Sequence, residues 1–87
     1  MSYNVLISHS ARKVIKKLDK PTRDRIINRI KEIQISPWIG DIKPIKGCAG
    51  EWRTRVGDWR IIYAVDRDQL VIMILVISPR GDAYKNR

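Results

Sequence analysis

Residues 51–63 read EWRTRVGDWRIIY, in which two runs of alternating side chains flank the dipeptide Gly57-Asp58. Such a dipeptide between two strand-like runs is typical of a two-residue β-hairpin turn, because glycine accepts backbone angles that other residues avoid. We therefore predict one strand over Glu51–Val56 and a second over Trp59–Asp66.

The turn also determines which residues of the two strands face each other. With Gly57-Asp58 at the tip, Arg55 lies opposite Arg60 and Arg53 lies opposite Ile62, and residues directly opposite share a face. Three arginines therefore fall on one face of the hairpin, together with Ile62 and Ala64. The other face is far more apolar, so we expect it to pack against the helices. Its members are Trp52, Thr54, Val56, Trp59, Ile61 and Tyr63.

Two helices are predicted between a short N-terminal strand and the hairpin. The strand covers Tyr3–Ser8, where apolar residues alternate. The first helix has an apolar stripe at helical spacing and begins after a cap at Ser8 or Ser10. The second helix begins at Pro21, whose missing amide costs nothing in a first turn, and ends at Ser36-Pro37.

The remaining segments complete an α+β arrangement. Trp38–Gly50 has no clear period and holds three of the five glycines, so we expect a loop. Leu70–Ile77 is apolar at every position, which is typical of a central strand covered on both faces. The predicted fold is a single domain over residues 1–87: an N-terminal strand, a helical hairpin and a three-stranded antiparallel meander, with the helices packed on one face of a four-stranded sheet.

The charge balance points to an anionic partner. The chain has 18 lysines and arginines against nine acidic residues, a net charge of +9 and a pI near 10.2. A domain this basic carries the electrostatic signature of nucleic-acid binding. The alternative is that solvated basic faces only keep a small protein in solution.

Other features of the sequence exclude several classes of protein. The single cysteine, Cys48, rules out an internal disulfide and offers no metal cluster, which fits a reduced cytoplasm. The N-terminus lacks the charged start and long apolar stretch of a signal peptide. The longest apolar run, Leu70–Ile77, is far too short to span a membrane. We expect a cytoplasmic protein with no metal and no small-molecule cofactor.

Residues 51–63 resemble the hairpin of the RelE/ParE toxin superfamily. In that family an aromatic residue, a basic residue, a spacer and a second basic residue precede a Gly-Asp turn, and an aromatic-Arg-hydrophobic-hydrophobic-Tyr strand follows. Lys46-Gly47 resembles the basic-Gly pair often found upstream, and the resemblance spans nearly the whole chain. It implies the toxin of a type II toxin–antitoxin system, with an acidic antitoxin as its partner.

The C-terminal residues favour the RelE branch of this superfamily. RelE-like ribonucleases carry a basic residue after the last strand and a tyrosine near the C-terminus, and Arg80 and Tyr84 stand in those places. The sequence departs from a common RelE pattern at Ser78-Pro79, where a histidine or lysine often precedes the arginine, and at Arg53 and Arg55, where some members have lysine. The resemblance thus implies an endoribonuclease that cleaves messenger RNA in the ribosomal A site.

Such a reaction needs no metal, because the 2′-OH of the RNA can attack the adjacent phosphorus. Arginine stays protonated and is a poor base but a good phosphate ligand, which leaves Tyr84 as the first choice of general base and Asp82 as a weaker one. Arg80 would stabilise the phosphorane. The remaining members of the predicted site hold phosphates: Arg53, Arg55, Arg60, Lys43 and Lys46.

Two other functions fit the same residues. The ParE branch shares the hairpin and inhibits DNA gyrase, which is a binding activity and not RNA cleavage. A catalytically inactive basic module would bind RNA in a salt-sensitive manner without cutting it.

Overall fold

The computed structural model describes residues 2–38, 42–44 and 50–79. Along this part of the chain one strand precedes two helices, and four strands follow them. The elements are β1 (Asn4–Ile7), α1 (His9–Lys17), α2 (Lys20–Ile35), β2 (Ile42–Pro44), β3 (Glu51–Val56), β4 (Trp59–Asp66) and β5 (Val71–Pro79). The predicted α+β fold class, with both helices on one face of a mostly antiparallel sheet, is confirmed.

The hairpin of β3 and β4 has the predicted bounds and register. Val56 pairs with Trp59, Arg55 with Arg60, and Arg53 with Ile62. Gly57 has a φ of +59°, whereas Asp58 does not have a positive φ. This combination of signs is that of a type II′ turn, which requires glycine at its first central position.

The strands form one sheet in the order β1-β5-β4-β3-β2. β1 runs parallel to β5, and all the other neighbours are antiparallel. β5 pairs with both β1 and β4 and therefore lies inside the sheet. Among the described strands, β1 and β2 form its two edges.

The sheet has five strands and not the predicted four, because Ile42–Pro44 forms β2 inside the segment that we expected to be a loop. Ile42 pairs with Thr54 and Pro44 with Trp52. Proline cannot donate a hydrogen bond to a strand ladder, so it is confined to edge positions such as this one. A three-residue strand that ends in proline has no detectable alternation, which is why its sequence does not indicate a strand.

The expectation that β5 is covered on both faces was wrong for the part of the chain that the structure describes. Ile72, Ile74 and Ile77 are buried under the helices, whereas Val76 points to the opposite face and is 39% exposed. Between the pairs Ile62–Val76 and Tyr63–Ile74 the strand contains one extra residue, Leu75, so that it bulges.

Side-chain caps fix the starts of both helices. Ser8 caps α1: its Oγ accepts from the Ala11 amide at 3.1 Å and donates to the Leu75 carbonyl in the bulge at 2.7 Å. Asp19 caps α2, and hydrogen bonding from Thr22 holds the pKa of the Asp19 carboxyl below its ordinary value. α2 begins at Lys20, one residue before the predicted start at Pro21, which lies in its first turn. Its last residue is Ile35 and Ser36 is the C-cap, in agreement with the predicted end at Ser36-Pro37.

The core lies between the two helices and the sheet. Tyr63 is fully buried and its hydroxyl donates to the Pro37 carbonyl at 2.6 Å. Burial raises the pKa of this hydroxyl well above its ordinary value of 10.0, and the nearby Arg29 charge opposes the shift only in part. The buried apolar residues around it are Ala11, Leu18, Ile26, Ile30, Ile33, Val56, Ile61, Ile72, Ile74 and Ile77.

No helix among the described residues is long and apolar enough to cross a membrane.

Candidate nucleic-acid interface

Four cationic side chains come together on the sheet face that the helices do not cover. They are Lys43, Arg53, Arg55 and Arg60, which we call the basic cluster, and they line one depression. All four belong to the predicted site, so the hairpin register does bring these predicted phosphate ligands together.

The strand pairing explains why the cluster is tight. Lys43 of β2 lies opposite Arg53 of β3, and Arg55 of β3 lies opposite Arg60 of β4. Arg53 and Arg60 are half-buried, whereas Lys43 and Arg55 are exposed. Like charges directly opposite each other repel, and an anion bound between them would reduce this repulsion.

Thr54 lies between two of these arginines in the sequence but points to the opposite face. It is 1% exposed, and its Oγ1 accepts a hydrogen bond of 2.7 Å from Arg29 Nη1 of α2. The Arg29 Nε also lies 3.1 Å from Glu32 Oε1. This connection holds β3 against α2 and so fixes the strand from which Arg53 and Arg55 project.

Part of the uncovered face beside the basic cluster is apolar. Leu6 of β1 is 51% exposed there and pairs with Met73 of β5, while the exposed Val76 pairs with Ile62. Ile62 in turn lies opposite Arg53, so these apolar side chains lie directly beside the basic cluster. The face therefore offers cations for phosphates or carboxylates, next to a surface for apolar or aromatic groups.

Three predicted site residues, Lys46, Arg80 and Tyr84, lie outside the described residues, as does the alternative base Asp82. The described chain ends beside the basic cluster. Ser78 lies directly opposite Arg60, and Pro79, the last described residue, lies opposite Trp59.

Sequence analysis missed the contribution of α2 to this region. Arg25, Asn28 and Arg29 line a second depression between α2 and the hairpin, and Arg55 belongs to both depressions. Arg25 and Arg29 are four residues apart, the spacing that places side chains on one helix face. This spacing in the sequence could have indicated that Arg25 and Arg29 lie together. Only the packing of α2 against β3 shows that their helix face points towards the hairpin.

Most of the aromatic side chains serve the core and its rim and are not free to stack on bases. Trp52 and Trp59 pack against the core on the covered face. Trp38 makes an edge-to-face contact with Trp52 at a centroid distance of 6.3 Å, and the Arg67 guanidinium lies 4.6 Å from the Trp38 ring centre.

Comparison with known proteins identifies relatives over almost the whole chain. A model of the family described as "ParE toxin of type II toxin-antitoxin system, parDE" matches residues 5–84. The chain is 34% identical over 89 residues to the protein named "Putative toxin RelE1" of Methanocaldococcus jannaschii, and the match covers 99% of each chain.

Solved structures with the same fold include archaeal and bacterial proteins. A chain of the RelE–RelB complex from Pyrococcus horikoshii matches with a TM-score of 0.82 and 30% identity, over 94% of this chain and 99% of that one. A chain of the RelB–RelE antitoxin–toxin complex from Methanococcus jannaschii has a TM-score of 0.74 and 30% identity, over 94% and 98%. The isolated E. coli RelE toxin has a TM-score of 0.80 over 98% and 94%, and at 19% identity it shows likeness of fold alone.

Proposed function

This chain belongs to the ParE toxin family of type II toxin–antitoxin systems, within the RelE/ParE superfamily, and on that premise we propose that it is a ribosome-dependent endoribonuclease that cleaves messenger RNA. The observation that carries the proposal is the basic cluster. It places four cations within one depression, beside the point where the described chain leads towards Arg80 and Tyr84.

The chemistry follows from the residue types. The 2′-OH of one nucleotide attacks the adjacent phosphorus, the bond from phosphorus to the 5′ oxygen breaks, and the products are a 2′,3′-cyclic phosphate and a free 5′-OH. Tyr84, as the phenolate, accepts the proton of the 2′-OH, and Arg80 stabilises the phosphorane while the 5′ leaving oxygen takes up a proton from water. The cationic residues Arg53, Arg55, Arg60, Lys43 and Lys46 hold the scissile and flanking phosphates.

Two observations favour RNA cleavage over gyrase inhibition. Relatives at 30% identity or more carry the RelE name, and Arg80 and Tyr84 match the RelE pattern in position and type. The matching family model carries the ParE name, which keeps gyrase inhibition as the second candidate.

We also propose an acidic antitoxin as the partner of this chain. The similar archaeal chains come from complexes of RelE with RelB. A net charge of +9 and an uncovered face with a basic cluster beside the exposed side chains of Leu6 and Val76 suit a segment that contains both carboxylates and apolar residues.

The test compares wild type with Arg80→Ala and Tyr84→Phe on purified translating ribosomes, with cuts in the messenger mapped by primer extension. Arg12→Ala and Tyr3→Phe are the matched controls, because they remove the same groups at sites remote from the uncovered face. We expect cuts at the A-site codon with wild type and both controls. Arg80→Ala and Tyr84→Phe should each slow cleavage by about 10²-fold or more.

Intact messenger with undisturbed translation would reject the ribonuclease function. A parallel supercoiling assay with purified gyrase then decides between the two branches. Inhibition there, with no cut in the messenger, would establish the second candidate.

A further inference from the structure

We propose that Arg25 and Asn28 of α2, together with Arg55 of β3, form a second phosphate-binding site for RNA. The site adjoins the basic cluster and binds a phosphate that neighbours those held on the uncovered face. This inference rests on the proposed function, because it takes RNA as the ligand.

The position of Arg55 makes the two sites continuous. Arg55 lines the depression of the basic cluster on one side and the depression against α2 on the other. A ligand that contacts Arg55 can therefore reach both depressions.

The Arg25 side chain lies against the turn of the hairpin. A Cβ atom at Gly57 would lie 2.8 Å from Arg25 Nη2 and 3.3 Å from its Cζ, so the guanidinium lies directly over the glycine. The side chain is nevertheless exposed. Glycine thus has two roles here: it allows the φ of +59° in the turn, and it leaves room for the guanidinium.

Arg25 also has charge available for a ligand. The neighbouring carboxylates are engaged elsewhere, since Asp24 pairs with Lys20 and Glu32 pairs with Arg29, each at 3.1 Å. Among the residues that the structure describes, no carboxylate lies within ion-pair distance of Arg25. Arg29, by contrast, is committed to Thr54 and Glu32 and positions the site.

The composition of the depression suits a phosphate. It presents three guanidinium groups and the Asn28 amide against one carboxylate, that of Glu32, which Arg29 already neutralises. Guanidinium groups bind phosphate oxygens through paired N–H donors, and an amide adds a neutral donor. A single strand of RNA offers such phosphates at every nucleotide.

The test measures binding of fully 2′-O-methylated RNA, which cannot be cleaved by 2′-OH attack, by fluorescence anisotropy over a salt series. Wild type, Arg25→Gln and Arg25→Lys are compared with Arg12→Gln, which removes the same charge from the exposed surface of α1. We expect a hexamer to contact both depressions and a trimer to occupy the basic cluster alone. Thermal melts confirm that each variant is folded.

For the hexamer we expect Arg25→Gln to weaken binding about 3- to 10-fold at low salt and to lower the slope of log K against log[salt] by about 0.7, the loss of one phosphate contact to a single strand. Arg25→Lys should recover part of the affinity and the full slope. Trimer binding should match that of wild type, and Arg12→Gln should leave both oligonucleotides nearly unaffected.

Equal weakening by Arg25→Gln and Arg12→Gln, or hexamer binding unchanged in Arg25→Gln, would overturn the proposal. In the second case a titration with the acidic antitoxin shows whether Arg25 serves a protein partner instead. Failure of the proposed function looks different: the messenger stays intact on the ribosome, while Arg25→Gln still selectively weakens binding of the hexamer.

Discussion

Arg29 Nη1 donates a 2.7 Å hydrogen bond to Thr54 Oγ1, and this bond joins the long helix to the strand that carries two of the clustered arginines. Thr54 is the buried polar residue between Arg53 and Arg55. Its hydroxyl faces the helices while its neighbours face outward, so one strand is anchored on one side and charged on the other. The hydrogen bond between Arg29 and Thr54 therefore helps to keep β3 in place, although arginines lie close together on its other face.

Replacing Thr54 with valine tests this anchor. The change keeps the branched shape but removes the acceptor of a charged donor, so we expect the free energy of unfolding to fall by about 1–2 kcal/mol. Urea unfolding followed by tryptophan fluorescence measures the loss. A double-mutant cycle with Arg29→Met isolates the pair, and a coupling energy near zero would show that the bond does not hold the strand.

Tyr63→Phe tests the buried hydroxyl through pH. Because burial raises the pKa of Tyr63 in the folded protein, its contribution to stability is complete below about pH 10, where the unfolded tyrosine keeps its proton. It is lost as the pH rises further, by up to about 1.4 kcal/mol per pH unit, because only the unfolded chain then ionises.

Unfolding free energies of wild type and Tyr63→Phe, measured by urea titration from neutral pH to about pH 11, should therefore converge at the alkaline end. At neutral pH the variant should be less stable by about 1–3 kcal/mol, since the Pro37 carbonyl loses its buried donor. Tyr3→Phe is the control. A constant difference across the whole range would contradict the raised pKa.

Arg55→Gln should affect the stability of the protein and its affinity for RNA differently. Removing one of two directly opposed arginines lowers the like-charge repulsion between β3 and β4, so we expect the free energy of unfolding of the variant to depend less on salt concentration than that of wild type. RNA affinity should fall in the same variant. Denaturant melts at two ionic strengths measure the first effect, and a salt-independent loss of stability would show that Arg55 is part of the structural framework.

Ser8→Ala should destabilise the protein by about 1–2 kcal/mol, because Ser8 caps α1 and also satisfies the Leu75 carbonyl in the bulge of β5. Ser10→Ala is the matched control, since the Ser10 hydroxyl reaches the same carbonyl only at 3.4 Å. Thermal melts should show a clear loss for the first variant and little for the second. Equal losses would assign the cap to both serines.

The hairpin could be predicted from sequence because its information is local. Gly57-Asp58 fixes the turn, the turn fixes the register, and the register places Arg55 opposite Arg60. The same reasoning could not reach Arg25, whose role depends on how α2 packs against a strand some thirty positions away. Local patterns determine which residues share a face, but only tertiary packing shows what that face meets.

Two predictions about the sheet, the loop in place of β2 and the burial of both faces of β5, were wrong for a related reason. β2 has only three residues and ends in Pro44, too few for a period to appear. In β5 a continuous apolar run hides the alternation, so the bulge at Leu75 and the exposure of Val76 leave no trace in the sequence. Where the pattern is uniform, one face cannot be distinguished from the other.

The place of β5 inside the sheet has a consequence for how the protein is made. Its neighbours are β1, at the start of the chain, and β4, so residues 4–7 have no strand partner until residues 71–79 have been synthesised. During translation the hairpin arginines emerge before the strand that closes the sheet beside them. The nascent chain therefore carries the hairpin arginines before β5 is available to pair with β1 and β4, and the sheet that holds these arginines can form completely only after residues 71–79 have been added.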